Sequence, residues 1–204
     1  MPKYLDQTGL AHFWGNIKDV TDDLDERVTT VENSVLVVLG DSWSDGNNDP
    51  ETPWYVRVAN RLGITAYVTA AVGGKGFSYG TTSTIPLQVS SALTKVQQAG
   101  YTASDVKYVV AFGGVNDFRH GIAYGNVVTG MMTTYDNARS TFPNAEVFII
   151  GPNAGKWNVM DSLDTDDPNK AASYAGFRNY MRDIKNSMHN NGYPIGWDAG
   201  AWLN

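Results

Sequence analysis

The 204-residue chain has no cysteine. That excludes disulfides, thiolate nucleophiles and zinc–thiolate centres. Histidine is scarce: any imidazole base that this chain supplies has to be one of three, His12, His120 or His189. Positive charge is short too, with 15 Lys and Arg against 21 Asp and Glu, a net charge of −6 and a pI near 4.9. Such a surface repels phosphate backbones and anionic lipid, so neither nucleic acid nor membrane is expected as a partner. No apolar run approaches the roughly 20 residues of a membrane-spanning helix. The opening MPKYLDQ lacks the charged region and apolar core of a signal peptide. No G-x-G-x-x-G follows the first apolar run and no lysine-bearing phosphate loop occurs, so a nucleotide site is not expected. Internal repeats and low-complexity linkers are absent.

What is present fits one domain with a modest extension. Hydrophobic residues make up 42% of the chain, enough for a core. The first 34 residues read differently from the rest. Ile17, Val20, Leu24, Val28, Val31 and Val35 recur at steps of three and four, with acidic and basic residues between them. This predicts an N-terminal amphipathic helix that either pairs with copies of itself, as a trimer for instance, or folds back on its own domain.

From Val35 onward strands and helices alternate. The predicted strands are Val35–Leu39, Thr65–Val72, Tyr108–Phe112, Glu146–Ile150 and a last one near Ile195–Ala199. The first, third and fourth are nearly continuous apolar runs, the pattern of strands covered on both faces. Helices are predicted over Pro53–Leu62, Pro86–Gln98, Asn126–Ser140 and Lys170–Asn190. The expected fold is α/β, a five-stranded parallel sheet between helical layers. In such sheets sites form at the carboxyl ends of the strands.

Three strand ends carry chemistry. The first runs VLVVLGDSWSDG and ends in Gly40, Asp41 and Ser42. The second ends in AVGGKGFSYG, with Gly73, Gly74 and Gly76. The third ends in FGGVNDF, with Gly113, Gly114, Asn116 and Asp117. A serine that attacks an ester creates a tetrahedral oxyanion, which preorganised N–H donors must hold. Glycine lets its N–H approach the reacting centre, and an asparagine amide can supply another donor. Each piece alone reads as ordinary turn or cap chemistry. The ordered set, each on its own strand end, is hard to obtain by chance.

These blocks, GDSWSDG, GGKGF and GGVND, resemble the first three sequence blocks of the SGNH (GDSL-type) hydrolase superfamily. The resemblance covers residues 35 to about 203 and implies a flavodoxin-like three-layer sandwich that hydrolyses carboxylic esters, often acyl groups on sugars or small alcohols. Matched block by block, it makes Ser42 the nucleophile and its own N–H the first oxyanion donor. Gly74 becomes the second donor, with Gly76 the alternative for that block, and the Asn116 amide the third. Asp41 matches the acid before the serine that shapes the turn, and Gly114 and Asp117 support the third block. No cofactor and no metal are implied.

The last family block, an Asp followed three residues later by the His that acts as general base, has no counterpart here. The chain ends YPIGWDAGAWLN, with Ala201 three residues after Asp198. Asp198 is therefore expected to belong to the last strand, with the Asp-His block lost beyond Asn204. Three explanations stand: a chain cut before that block, a domain that binds without cleaving, or a histidine from elsewhere in this chain or a neighbouring one. Of the three histidines, His120 follows GGVNDF and is the one to test as a substitute base.

Residues 4–18, YLDQTGLAHFWGNIK, resemble a short segment at the start of some phage tail and minor structural proteins. The expected organisation is a helical segment over residues 1–34 and a hydrolase-like domain over 35–204. The expected setting is a phage tail or another extracellular location, with an acylated glycan or small ester as substrate. The alternative function is a non-catalytic glycan-binding or structural tail domain. The acidic run MDSLDTDDPNK, with Asp161, Asp164, Asp166 and Asp167, lacks calcium-loop spacing and reads as a solvated loop capping the following helix.

Overall fold

The computed structural model describes residues 34–46, 52–64, 66–151 and 168–196. Four parallel strands form the sheet, β1 (Val35–Gly40), β2 (Ala66–Thr69), β3 (Val106–Phe112) and β4 (Glu146–Ile150), in the order β2-β1-β3-β4. Among the described residues five helices lie between and after them: α1 (Trp54–Arg61), α2 (Ile85–Gln98), α3 (Val115–Arg119), α4 (Tyr124–Thr141) and α5 (Pro168–Asn190).

The order follows from the sequence of crossovers. The chain leaves β1, returns as β2 on one side, then crosses to β3 and β4 on the other. Parallel neighbours need a helix for each return, and the apolar stripes of the helices close over the sheet. The side chains of β1 alternate between two cores. Val35, Val37 and Leu39 join Val89, Ala92, Val96, Val127, Met131 and Ile184 beneath α2, α4 and α5. Leu36 and Val38 face Tyr55 and Ala59 of α1, together with Val110. All six residues of β1 are buried, as the unbroken apolar run predicts.

Four expectations need correction. The sheet has four strands among the described residues, not five. The predicted fifth is represented by a single parallel bridge between Ile150 and Gly196, and residues 197–204 lie outside the described residues. The second strand is shorter than its apolar run: paired residues span Ala66–Thr69, and beyond them only the N–H groups of Ala70 and Val72 still bond β1, at Val38 O and Gly40 O. Among the described residues β4 is not covered on both faces: Phe148 is 43% exposed, and β4 pairs with β3 and, through that one bridge, with Gly196. Finally, the segment after the third strand, read as turn chemistry, forms the short helix α3.

The predicted N-terminal helix, the acidic loop with Asp161, and His12 fall outside the described residues. The three-residue turn Ala103–Asp105 before β3 is a capping box, with Thr102 and Asp105 bonding each other's ends. Among the described residues no helix is long and apolar enough to cross a membrane.

Candidate active site

β1 and β3 end together: Gly40 pairs with Phe112, so Asp41 and Ser42 emerge beside Gly113 and Gly114. A Cβ on Gly40 would overlap the Phe112 carbonyl, so only glycine permits this close approach. The turn after β1 is then tied down by several modest bonds. Ser44 N–H donates to Asp41 O at 2.9 Å and Trp43 N–H to Asp41 Oδ1 at 3.0 Å. Thr69 Oγ1 donates to Ser44 O at 2.8 Å, and Trp54 Nε1 donates to Ser44 Oγ at 3.3 Å. Ser42 is held partly exposed on this turn, while Asp41 and Ser44 on either side are buried.

The loop after β2 comes to the same place. An ideal Cβ on Gly73 would lie 3.6 Å from Ser42 Cβ and 2.8 Å from Asp45 Oδ2. Among the described residues neither Gly73 nor Gly74 donates its N–H to a backbone carbonyl. Gly76 does, to Tyr79 O at 3.0 Å, and so is not an available oxyanion donor. A Cβ there would also overlap the Asp117 carboxylate.

Asp117 organises this loop. Its carboxylate accepts three backbone N–H bonds: from Phe77 at 2.8 Å to Oδ2, and from Ser78 at 2.8 Å and Tyr79 at 2.7 Å to Oδ1. It is fully buried, and that burial pushes its pKa above the usual carboxylate range against the opposing pull of the three amides. Asn116, one residue earlier on α3, bridges the other two blocks. Its Nδ2 donates to Lys75 O at 2.8 Å and, more loosely, to Asp41 Oδ2 at 3.4 Å. The Asp41 carboxyl is pushed up to about 6, chiefly by burial, with the Asp45 and Asp117 charges adding to it and the Trp43 N–H opposing.

All three blocks thus meet at one edge of the sheet. A model of the GDSL-like lipase/acylhydrolase family matches residues 38–196, well over half of the chain. The chain belongs to this family. Solved structures agree at the level of fold. Phospholipase A1 from Streptomyces albidoflavus NA297 superposes with a TM-score of 0.51 at 18% identity, covering 83% of this chain and 81% of that one. A family two carbohydrate esterase from Clostridium thermocellum, solved in complex with cellohexaose, gives 0.52 at 17% identity. It covers 81% of this chain, which spans 54% of that one. No curated protein sequence matches the chain.

In this GDSL-family chain the sequence blocks place Ser42, Asp41, Gly74, Asn116 and Asp117 at one edge. Gly114 caps α3 in the left-handed region (φ 110°). Gly113 also packs closely: a Cβ there would press on Ile85 Cδ1 at 2.6 Å. His120 lies exposed at the end of α3, its ring stacked on Tyr79 with centroids 3.7 Å apart and planes within 5°. His189 is exposed near the end of α5. Sequence reasoning missed two contributors. Gly73, named at the second strand end without a role of its own, packs against Ser42. Gln88, buried on α2, bonds both backbone groups of Gly40. A polar residue on an otherwise apolar helical stripe was the available signal for it. Among the described residues no group of three or more His, Asp or Glu could hold a metal ion.

Proposed function

We propose that this GDSL-family domain is a serine ester hydrolase, with Ser42 as nucleophile. Ser42 Oγ attacks the acyl carbon, the carbonyl π bond opens to an oxyanion, and the serine proton passes to a base. Collapse of that intermediate expels the alcohol and leaves an acyl-serine, which water hydrolyses by the same path. The oxyanion donors are the N–H groups of Ser42 and Gly74 and the amide of Asn116. The observation that carries this reading is the Asn116 amide. Its short bond to Lys75 O holds the amide plane, and the loose 3.4 Å contact to Asp41 is one that an oxyanion can replace.

His120 is the base this chain offers beside the third block. The substrate is an acylated glycan or another small ester. The resemblance of residues 4–18 to tail proteins supports a role on a phage tail, and the amphipathic pattern of residues 1–34 supports assembly as a trimer. The test is labelling with a fluorophosphonate, read by intact mass. One adduct on the wild type and none on Ser42→Ala means an activated serine, and loss of that adduct in His120→Ala assigns the base. No adduct on the wild type rejects catalysis by this chain. A second reading, glycan binding without turnover, is favoured by His120, whose ring lies exposed and stacked on Tyr79. It predicts glycan binding that survives Ser42→Ala.

A further inference from the structure

The buried stripe of α2 consists of Ile85, Gln88, Val89, Ala92 and Val96. Gln88 is its only polar member and is 2% exposed. A leucine or methionine would continue the stripe, and a buried amide is tolerated only with its hydrogen bonds made. Gln88 makes two of its three to one residue. Its Oε1 accepts the Gly40 N–H at 2.8 Å, and its Nε2 donates to Gly40 O at 2.9 Å and to Ser83 O at 3.2 Å.

Gly40 is where β1 leaves its ladder with β2. Paired residues of the two strands end at Val38 and Thr69. Beyond them the Gly40 carbonyl still accepts Val72 N–H at 3.0 Å, but its N–H turns to Gln88 instead of a strand carbonyl. The register of β1 is set upstream by both neighbours, so the sheet does not need this amide. What the amide sets is the plane of the peptide groups at Gly40, and hence the direction in which Asp41 and Ser42 leave the strand.

We infer that Gln88 is a positioning residue for Ser42, acting through the backbone of Gly40. This rests on Ser42 being the nucleophile. A rotation at Gly40 displaces both Oγ and the N–H of Ser42 relative to Gly73 and Asn116, which are fixed from other strands. Misplacement of about 1 Å is enough to cost on the order of 100-fold in rate.

The experiment compares the full-length wild type with Ser42→Ala, Gln88→Met and Gln88→Glu. Turnover of p-nitrophenyl acetate is measured with amide hydrogen exchange at Gly40, Val72, Val37 and Val109. For Gln88→Met we expect kcat to fall by about 10- to 100-fold with KM nearly unchanged. Gly40 and Val72 should exchange about tenfold faster or more, while the sheet centre at Val37 and Val109 does not change. For Gln88→Glu, the introduced carboxyl reproduces both bonds to Gly40 when protonated and repels the Gly40 carbonyl when ionised. Its activity relative to wild type should therefore rise as pH is lowered from about 8 to about 5. Of the carboxyls Asp41, Asp45 and Asp117, Asp41 titrates in this range, so the ratio is also measured in an Asp41→Asn background. Unchanged kcat in a folded Gln88→Met variant overturns the inference, and so does faster exchange throughout the sheet. If Ser42→Ala matches the wild type, the nucleophile reading fails separately and exchange decides. Acceleration confined to Gly40 and Val72 then upholds Gln88 as the anchor of that turn, and its absence overturns it.

Discussion

The two loops that build the site are held in opposite ways. The turn after β1 is secured by many small contributions: Asp41 to Trp43 and Ser44, Thr69 and Trp54 to Ser44, and Gln88 to Gly40. The loop after β2 has single bonds too, from Asn116 to Lys75 O and from Ile85 N–H to Gly76 O, but it concentrates three on one carboxylate, Asp117, which accepts the N–H groups of three consecutive residues. A distributed set loses one bond at a time. A shared acceptor fails for all three at once, because its removal leaves several donors without their acceptor.

The sharpest way to expose this difference is Asp117→Ala. Three backbone N–H groups lose their acceptor, each worth about 1 kcal/mol or more, so a total loss of about 4 kcal/mol is expected in urea unfolding. Cleavage by a protease within residues 77–79 should accelerate with it. The same anchor can be pressed from the other side. Gly76→Ala sets a methyl against the Asp117 carboxylate, with an expected loss of about 3 kcal/mol in the same assay.

Asp41 tests the first turn through pH. Its carboxyl titrates near 6 in the fold against 3.8 as its ordinary value, so the fold favours the protonated form. The stability this adds is fully present below the ordinary value and is lost as pH rises through the folded one. Asp41→Asn removes the titration. Relative to wild type, the variant should gain stability on the order of 2 kcal/mol between about pH 4 and pH 7, read from unfolding midpoints across that range. A difference that stays flat with pH would show that Asp41 ionises at little cost in the fold. The smallest effect belongs to Ser44→Ala, which removes one acceptor, the partner of Trp54 Nε1. About 1 kcal/mol is expected, because the carbonyl of residue 44 still holds Thr69.

The comparison also explains what could be read in advance. The residues of the first turn declared themselves, since an apolar run ending in Gly-Asp-Ser is local information. So did Asn116 and Asp117, by their place after the third strand. The anchor role of Asp117 did not, because its partners lie 38 to 40 residues earlier in the chain. Gln88 stands out locally as a polar residue on an apolar stripe, but its partner lies 48 positions away and nothing local names it. The choice between Gly73 and Gly74 is of the same kind: each is small, and only the packing of Ser42 against one of them separates their places. The apolar run of β4 likewise says that a strand forms but not that its neighbour on one side is a single bridge.

By itself, the sequence determined the alternation of strands and helices, the absence of thiol chemistry, and the three blocks that make this a GDSL-family chain. These follow from periodicity, composition and contiguous motifs, all of which are short-range. The tertiary structure alone decided that Asp117 gathers three amides of the loop after β2, that Gln88 holds the end of β1, and that, among the described residues, Phe148 of β4 stays exposed. Those are long-range facts. A hydrogen bond between distant residues exists only once the chain has closed the loop between them, and burial depends on which elements arrive to cover a surface.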